Sequence, residues 1–332
     1  MHARALQFVA PRRLALVEVD LPELTPGCVH VRTLYSGISS GTELLAYRGD
    51  IPPDLPLDET IGALGGTFSY PFRYGYSAVG LVERSTSRLE TGALLFAFHP
   101  HQDQFICPAE TAMALPDVSA RIATLFPLVE TALQIKLDAG EVSGSIVVVL
   151  GLGAVGLLVS MLLKEAGAII VGVDPSSTRR DLAKGLGIDA SDPSEVHARL
   201  TADTGMEGVP LVIEVSGNPL ALASALPLLA HEGTVLVASW YGRKNVTLPL
   251  GAEFHRRRLS IRSSQVSTIP SRLQARWSIE SRRREAARLL KQLPLSDIAS
   301  HEFPFELAAD AYAALDRGDD RLVHVALSYQ PG

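Results

Sequence analysis

Residues 145–174 of the 332-residue chain are SIVVVLGLGAVGLLVSMLLKEAGAIIVGVD, the strongest structural pattern in the sequence. SIVVVL is a continuous apolar run of the kind that a parallel sheet buries on both faces. AVGLLVSMLLKEAG has helical spacing and ends at Gly167, a residue type that commonly stops helices. AIIVGVD is a second buried strand. The stretch therefore predicts a strand–helix–strand unit of a parallel sheet.

A GxGxxG motif forms the turn between the first strand and the helix. In such a turn Gly151 permits the tight bend, Gly153 lets a pyrophosphate approach the backbone, and Gly156 lets the helix pack on the strand. Asp174 follows the second strand roughly 20 residues on, where an acid can bond both ribose hydroxyls. The predicted dinucleotide site comprises Gly151, Leu152, Gly153, Ala154, Val155, Gly156 and Asp174.

The acid at the second strand also bears on which dinucleotide binds. A carboxylate at Asp174 repels the additional phosphate of NADP, so the sequence predicts NAD. NADP stays an alternative because Ser176, Ser177, Arg179 and Arg180 follow. We expect the two arginines to lie in the next helix, exposed to solvent.

The chain divides by pattern into three ranges. Residues 1–118 carry short β-type runs separated by Pro and Gly, which predicts a β-rich, barrel-like domain. Strands and helices alternate over residues 119–266, which predicts a Rossmann dinucleotide-binding domain. Residues 267–332 contain further helices and a last strand, and we expect them to return to the first domain. The fold class is α/β, with a doubly wound parallel sheet plus a β-rich domain.

Composition excludes several classes of protein. The net charge of -6 argues against binding to nucleic acid. The basic cluster Arg282–Arg284 is interpreted as the solvated face of a helix. The two cysteines, Cys28 and Cys107, are too few for a disulfide framework or a four-cysteine zinc lobe. Without an apolar stretch long enough for a signal peptide or a membrane span, we expect a cytoplasmic protein with no membrane contact.

Four segments resemble those of the medium-chain dehydrogenase/reductase superfamily. Residues 36–43, SGISSGTE, resemble its "SGICGTD" segment, and residues 74–80, YGYSAVG, resemble "GHE…G". Residues 126–128, FPL, resemble "EPL", and residues 263–266, SSQV, resemble the stretch near the nicotinamide. The resemblance implies a GroES-like catalytic domain beside the Rossmann domain, a small-molecule substrate and a homodimer. It is strongest to the branch that contains bacteriochlorophyllide dehydrogenase-type enzymes of secondary metabolism.

The sequence departs from that superfamily at the positions of its catalytic zinc ligands. Such a site needs a thiolate, an imidazole and a carboxylate or second thiolate. The cysteine position is Ser39 or Ser40, the histidine position is Tyr76, and the glutamate of "EPL" is Phe126. Ser77 replaces the glutamate beside the histidine. We therefore expect no zinc and no other metal cofactor.

A different group must then exchange the proton of the reaction. The candidate catalytic residues are Tyr76, Glu43, His99, His101 and Ser39, because a phenol, a carboxylate, an imidazole or a hydroxyl can all exchange protons. Each has a structural alternative: Tyr76 can pack with its hydroxyl satisfied, Glu43 can hold its own loop, and the histidines can lie on a surface loop.

A relocated metal site is a second hypothesis. Glu43, His99, His101 and Asp103 together offer imidazole and carboxylate ligands. The two histidines are two residues apart, so on a strand they would share a face, although Pro100 intervenes.

The resemblance also implies further cofactor contacts at strand ends, where an open α/β sheet binds its ligand. We expect them at Ser216, Gly217, Ser239, Trp240, Ser264 and Gln265.

Three functional classes stay open. The leading one is an NAD(P)-dependent oxidoreductase that interconverts an alcohol and a ketone or aldehyde by zinc-independent hydride transfer. A second is a zinc-free enone or quinone reductase. A third is a non-catalytic NAD-binding protein.

Overall fold

The computed structural model of the chain describes residues 1–115, 117–204, 208–299 and 301–329, with only the backbone at 203 and 204. The chain forms two compact units, Met1–Pro127 with Ala287–Gly332, and Leu128–Ala286. These divisions lie later along the chain than the predicted boundaries after 118 and 266. The reason is that a helix runs across each division, so the change in sequence pattern and the change in packing partners fall at different residues.

The regular elements of the described ranges are named here in chain order. The strands are β1 (His2–Ala10), β2 (Arg13–Asp20), β3 (Cys28–Ile38), β4 (Phe72–Arg73), β5 (Ala78–Ser85), β6 (Leu94–Ala97), β7 (Gln104–Pro108), β8 (Ala112–Ala114), β9 (Ile146–Leu150), β10 (Ile169–Val173), β11 (Asp189–Ser191), β12 (Val209–Glu214), β13 (Leu229–Val237), β14 (Ser260–Ser263), β15 (His301–Pro304) and β16 (Val325–Ser328). The helices are α1 (Ser40–Arg48), α2 (Ala120–Ala123), α3 (Phe126–Ala139), α4 (Ala154–Glu165), α5 (Ser177–Gly185), α6 (Val196–Thr204), α7 (Pro219–Ala225), α8 (Ile279–Gln292) and α9 (Ala308–Asp316). Over the described ranges, every helix is too short or too polar to cross a membrane.

The second unit contains a parallel sheet with the strand order β11-β10-β9-β12-β13-β14. This order is the 3-2-1-4-5-6 arrangement of a doubly wound dinucleotide-binding sheet. Val148, Val212 and Val235, at the centres of three neighbouring strands, have no exposed surface. The Rossmann prediction is confirmed, and the strand order reverses at β9 and β12, the place where such sheets bind ligands.

The first unit contains two β-sheets, and its later sequence joins the earlier one by strand pairing. One sheet has the order β2-β1-β4, and the larger has the order β15-β16-β3-β5-β6-β8, with β7 also paired to β3. Because β16 runs antiparallel to β3, with Val325 opposite Ile38, the segment after α8 completes the larger sheet. The prediction of a separate β-rich domain is confirmed.

Arg282 corrects the interpretation of the basic cluster as a solvated face. It is 1% exposed, and its guanidinium donates to Glu130 Oε1 at 2.9 and 3.1 Å and to Gln134 Oε1 at 2.6 Å. Arg284, two residues later, is exposed and pairs with Glu280. The helical period of α8 turns Arg282 to the same side as buried Ala286, and a run of like charges does not reveal which member points inward.

Candidate active site

The glycine turn of the second unit has the backbone geometry that the motif predicts. Gly151 has φ +101°, and a Cβ there would lie 2.7 Å from the Cα of Ser216. A Cβ on Gly156 would lie 1.8 Å from the carbonyl oxygen of Gly151, so the helix α4 can pack this close only with glycine. Gly153 caps α4 and has open space at its Cβ position. This open turn fits a pyrophosphate bound at the N-terminus of α4.

Asp174 lies directly after β10, beside the glycine turn. Its Oδ2 accepts from the backbone N–H of Leu152 at 2.8 Å, and its Oδ1 accepts from Ser176 N–H at 2.9 Å. The side chain is 5% exposed. These backbone donors hold a negative charge at the end of the second strand of the unit, where the ribose of a dinucleotide binds in this fold.

The arginines after Asp174 lie in α5 as predicted, but the expectation that they are exposed to solvent is wrong. Arg180 is half-buried and donates to the carbonyls of Asp174 (2.7 Å) and Pro175 (2.9 Å), and to Asp192 Oδ2 at 3.2 Å. Arg179 is also half-buried, with its guanidinium 3.9 Å from Asp174 Oδ2. The Arg180 guanidinium is therefore engaged by the loop that follows β10.

Polar residues after β12 and β13 bond to one another at the carboxyl edge of the parallel sheet. Glu214 has no exposed surface and accepts from Tyr241 O–H at 2.5 Å and from the N–H (2.8 Å) and hydroxyl (2.5 Å) of Ser216. Gly217 N–H donates to Ser239 Oγ at 2.8 Å. Burial and the Glu214 carboxylate both raise the pKa of Tyr241. The structure thus brings together the predicted residues Ser216, Gly217 and Ser239.

The remaining predicted cofactor residues have other surroundings. Trp240 is 42% exposed. Ser264 donates its hydroxyl to Asp138 Oδ2 at 2.7 Å and its N–H to Val237 O at 2.8 Å. The side chain of Gln265 bonds to Ser267. Asp138, on α3, did not stand out in the sequence, because no motif surrounds it.

In the first unit, Glu43 and His101 meet in a fully buried polar cluster. Glu43 Oε1 accepts from Ser39 N–H at 2.8 Å, and its Oε2 lies 2.9 Å from His101 Nε2 and accepts from the Tyr312 hydroxyl. Glu43, His101 and Tyr312 all have no exposed surface. Glu43 and His101 are both candidates from the sequence, whereas Tyr312 is not, because it lies among alanines in an ordinary amphipathic helix.

The cluster continues from the other nitrogen of His101. Its Nδ1 lies 2.7 Å from Ser36 Oγ, and Ser36 Oγ lies 2.8 Å from the Tyr329 hydroxyl. Both ring nitrogens of His101 therefore have partners, and the ring is fixed. Ser36 and Tyr329 are further members that the sequence did not reveal, since they lie 293 residues apart and meet only through the pairing of β16 with β3.

Tyr76 and Ser39 lie next to this cluster. Tyr76 is half-buried, and its ring packs edge-on against Tyr74 with centroids 6.1 Å apart. Burial and the charge of Glu43 raise the pKa of Tyr76 to about 12, while hydrogen bonds with Ser39 and Thr42 act to lower it. Tyr76 is therefore a phenol that stays protonated at neutral pH and has hydroxyl groups within hydrogen-bonding reach.

His99 lies outside the polar cluster. Its ring stacks on Phe105 with centroids 4.1 Å apart, and its Nδ1 lies 3.0 Å from the Pro100 carbonyl oxygen. Burial lowers the pKa of His99 to about 4, so the imidazole is neutral at physiological pH. Asp103 bonds instead to the backbone and guanidinium of Arg4, at 2.9 and 3.1 Å.

The relocated metal site of the second hypothesis is therefore not assembled. His99 and Asp103 have the partners just described, and only Glu43 and His101 meet. Among the residues that the structure describes, no group of three or more His, Cys, Asp or Glu side chains is arranged to hold a metal ion.

The positions that correspond to the zinc ligands of the superfamily carry side chains of other types. Phe126 has no exposed surface and packs against Phe96 and Phe98, with ring centroids 4.6 and 6.1 Å apart. Ser77 donates its hydroxyl to the Thr124 carbonyl oxygen at 2.7 Å. With Ser39 and Tyr76 these positions supply hydroxyl, phenol and phenyl groups, none of which is a usual zinc ligand.

Comparison with known proteins extends across both units. A family model described as zinc-binding dehydrogenase matches residues 154–281. A D-guloside 3-dehydrogenase of Escherichia coli strain K12 is 28% identical over 299 residues, covering 83% of this chain and 84% of the relative. A 2-desacetyl-2-hydroxyethyl bacteriochlorophyllide A dehydrogenase of Cereibacter sphaeroides is 25% identical over 336 residues, 94% of each chain. The crystal structure of 2R,3R-butanediol dehydrogenase from Bacillus subtilis, 20% identical, shares the fold with a TM-score of 0.79 over 99% of this chain and 100% of that one.

The Rossmann sheet, its glycine turn and these matches define an NAD(P)-dependent oxidoreductase. The family model and the relatives support the medium-chain dehydrogenase/reductase superfamily as the family of this chain.

Gly75 provides a test of how tightly the polar cluster is packed. Its φ is +108°, and a Cβ there would lie 2.6 Å from Cδ2 of His101, whereas Gly92, with φ +86°, has nothing within 4 Å. Gly92→Ala should cost roughly 1–2 kcal/mol of unfolding free energy through its left-handed backbone alone. Gly75→Ala should cost roughly 1–3 kcal/mol more, because His101 must move. Urea unfolding of both variants measures the difference in unfolding free energy. Equal losses of stability would show that His101 moves aside at no cost.

Proposed function

We propose that this protein is an NAD-dependent alcohol dehydrogenase, or ketone reductase, that acts on a small-molecule alcohol without a catalytic zinc ion. The observation that carries the proposal is the group of side chains at the zinc-ligand positions. Tyr76 replaces an imidazole there and lies in hydrogen-bonding reach of Ser39, which replaces a thiolate. A phenol and a hydroxyl can exchange a proton with a substrate but are not usual ligands of zinc.

The residues present fit a nicotinamide dinucleotide. The open turn at Gly153 and the N-terminus of α4 suit a pyrophosphate, and the Asp174 carboxylate suits ribose hydroxyls. The same carboxylate disfavours a 2′-phosphate, which supports NAD over NADP. When bound, the nicotinamide supplies or accepts the hydride.

Side chains of the protein then donate or accept the proton of the reaction. Reduction of a ketone leaves an alkoxide on the substrate, and Tyr76 donates its hydroxyl proton to that oxygen. The resulting phenolate oxygen accepts hydrogen bonds from Ser39 and Thr42, which act to lower the pKa of Tyr76. Alcohol oxidation runs the same transfer in reverse, with the phenolate as the base.

Alcohol oxidation is favoured over reduction of a carbon–carbon double bond by the relatives. The D-guloside and bacteriochlorophyllide proteins are both named as dehydrogenases. Our proposal also includes a cytoplasmic homodimer with a role in secondary metabolism, which the resemblance and the composition imply.

Replacing Tyr76 tests the proton donor directly. Tyr76→Phe should lower kcat by about a hundredfold or more, the usual contribution of general acid catalysis. Wild-type ketone reduction should stay nearly constant between about pH 6 and pH 10, because the pKa of Tyr76 is about 12 and the acid form persists. The measurement is steady-state NADH oxidation and NAD reduction with a panel of ketones and secondary alcohols, including alkyl glycosides.

Tyr74→Phe is the matched control for this experiment, since it removes a phenol from the neighbouring ring and should leave kcat near the wild-type value. Unchanged turnover in Tyr76→Phe would dismiss Tyr76 as the donor. Saturated products from enones, with no turnover of alcohols or ketones, would favour the double-bond reductase instead.

Metal content tests the zinc-free mechanism. Protein purified and dialysed without chelator should contain less than about a tenth of an equivalent of zinc by elemental mass spectrometry, because its thiolate, imidazole and carboxylate positions are substituted. Its turnover should be unaffected by EDTA. Near-stoichiometric zinc, removed by EDTA together with activity, would overturn this part of the proposal.

Nucleotide preference tests the role of Asp174. Wild-type protein should bind NADH more tightly than NADPH in a fluorescence titration, and Asp174→Ala should weaken NADH binding by about tenfold, equivalent to roughly 1.4 kcal/mol. Asp181→Ala, which changes an exposed carboxylate on α5, is the control. Tighter binding of NADPH than NADH by the wild-type protein would contradict the assignment of NAD.

A further inference from the structure

We propose that Tyr312 is a positioning residue: its hydroxyl holds the Glu43 carboxylate against the backbone N–H of Ser39, which leaves the Ser39 hydroxyl for Tyr76. The proposal rests on the proposed function, in which Tyr76 exchanges the substrate proton. Tyr312 itself does not touch the reacting atoms. It acts through Glu43 and Ser39, from a segment 269 residues away along the chain from Glu43.

The first step of the argument is the burial of Glu43. A carboxylate with no exposed surface is stable only where hydrogen-bond donors replace water. Its Oε1 accepts from Ser39 N–H, and its Oε2 is shared by His101 and Tyr312. Without the Tyr312 hydroxyl, Oε2 keeps only the imidazole as a partner. The carboxylate then has less to hold it in the orientation that reaches Ser39.

The second step concerns the cap of helix α1. Ser39 is the N-cap residue, a position where a serine hydroxyl usually accepts from a backbone N–H of the first turn. Ser119 and Ser176 do so in this protein, at the caps of α2 and α5. The Ser39 side chain makes no such bond. Glu43 instead reaches back to the N–H of the cap residue, as the acid of a capping box does.

The third step connects the cap to the candidate donor. Because the Ser39 hydroxyl makes no capping bond, it is available to the Tyr76 phenol, and Ser39 is one of the groups that act to lower the pKa of Tyr76. The orientation of Glu43 therefore determines how Ser39 presents its hydroxyl. This gives Tyr312 an effect on Tyr76 without a contact between them.

The surroundings of Tyr312 suit a fixed donor. Its ring packs edge-on against Phe8 at 5.6 Å and lies 5.5 Å from the ring of Tyr47. The side chain has no exposed surface, so the hydroxyl has little freedom to move. Burial and the Glu43 charge raise the pKa of Tyr312, so the phenol remains a donor at any physiological pH.

The experiment is a double-mutant cycle on kcat with Tyr312→Phe, Ser39→Ala and the double variant. Tyr47→Phe is the control, because it removes a hydroxyl from the neighbouring buried tyrosine, which is not a hydrogen-bond partner of Glu43. Tyr312→Phe should lower kcat by about tenfold, within the range expected for a hydrogen bond to a charged group, and leave the KM for NAD within about twofold. The double variant should be no slower than Ser39→Ala alone, since both changes act on the same hydroxyl.

A second readout does not require turnover. Amide hydrogen exchange of residues 36–45 should be faster in Tyr312→Phe than in wild type, because the Ser39 N–H loses a fixed acceptor, and unchanged in Tyr47→Phe. Effects on kcat that multiply in the double variant, or unchanged exchange in Tyr312→Phe, would overturn the proposal. Absence of alcohol turnover in the wild type would refute the proposed function instead, and the exchange result would still decide whether Tyr312 fixes the cap of α1.

Discussion

A carboxylate removed from water must be surrounded by donors, and Glu43 organises the first unit through this requirement. Its partners come from three places in the chain: the end of β3 with the cap of α1, the segment before β7, and α9. The larger β-sheet brings the first and last of these together, since β16 pairs with β3. Breaking a buried group of this kind costs more than making it contributes, because the charge stays behind. Such a cluster therefore specifies one arrangement of the loops around it.

In the second unit, too, a buried carboxylate is surrounded by hydrogen-bond donors, here at the end of the parallel sheet. Glu214 is also a carboxylate with no exposed surface, and its donors come from the loops that follow β12 and β13. Beyond the ends of parallel strands the backbone is irregular, and its polar groups need partners outside the regular pairing of the sheet. A single acid there orders two loops at the edge of the sheet where the glycine turn and Asp174 also lie. In both units a carboxylate with no exposed surface therefore orders the loops that donate to it.

The sequence predicts those features whose physics is local. The glycine turn, the strand before it and the acid after β10 lie within 30 residues, and their geometry depends on Cβ atoms that are absent at Gly151 and Gly156. Tyr312 and Arg282 could not be predicted in this way. Their partners lie far away in sequence, and nothing in the neighbouring residues distinguishes them from other members of an amphipathic or a basic helix.

The two histidines at 99 and 101 show an intermediate case. Their residue types predicted proton chemistry or metal binding, and their spacing suggested a shared face. In the structure they precede β7 rather than lying on it, with Pro100 between them, and they have different partners. Local spacing is informative only where the backbone is regular.

The pairing of β16 with β3 also has a consequence for how the protein is made. A ribosome synthesises β3 early and β16 only after the entire Rossmann unit has emerged. Domains generally fold as units during synthesis, so the Rossmann unit can fold while the larger sheet still has an unpaired edge at β3. During that interval only Tyr35–Ile38, the part of β3 that pairs with β16, leave this edge open to another strand, because Cys28–Arg32 pair with β7. Slower synthesis of the Rossmann unit would lengthen the interval in which this part of β3 can pair with another chain.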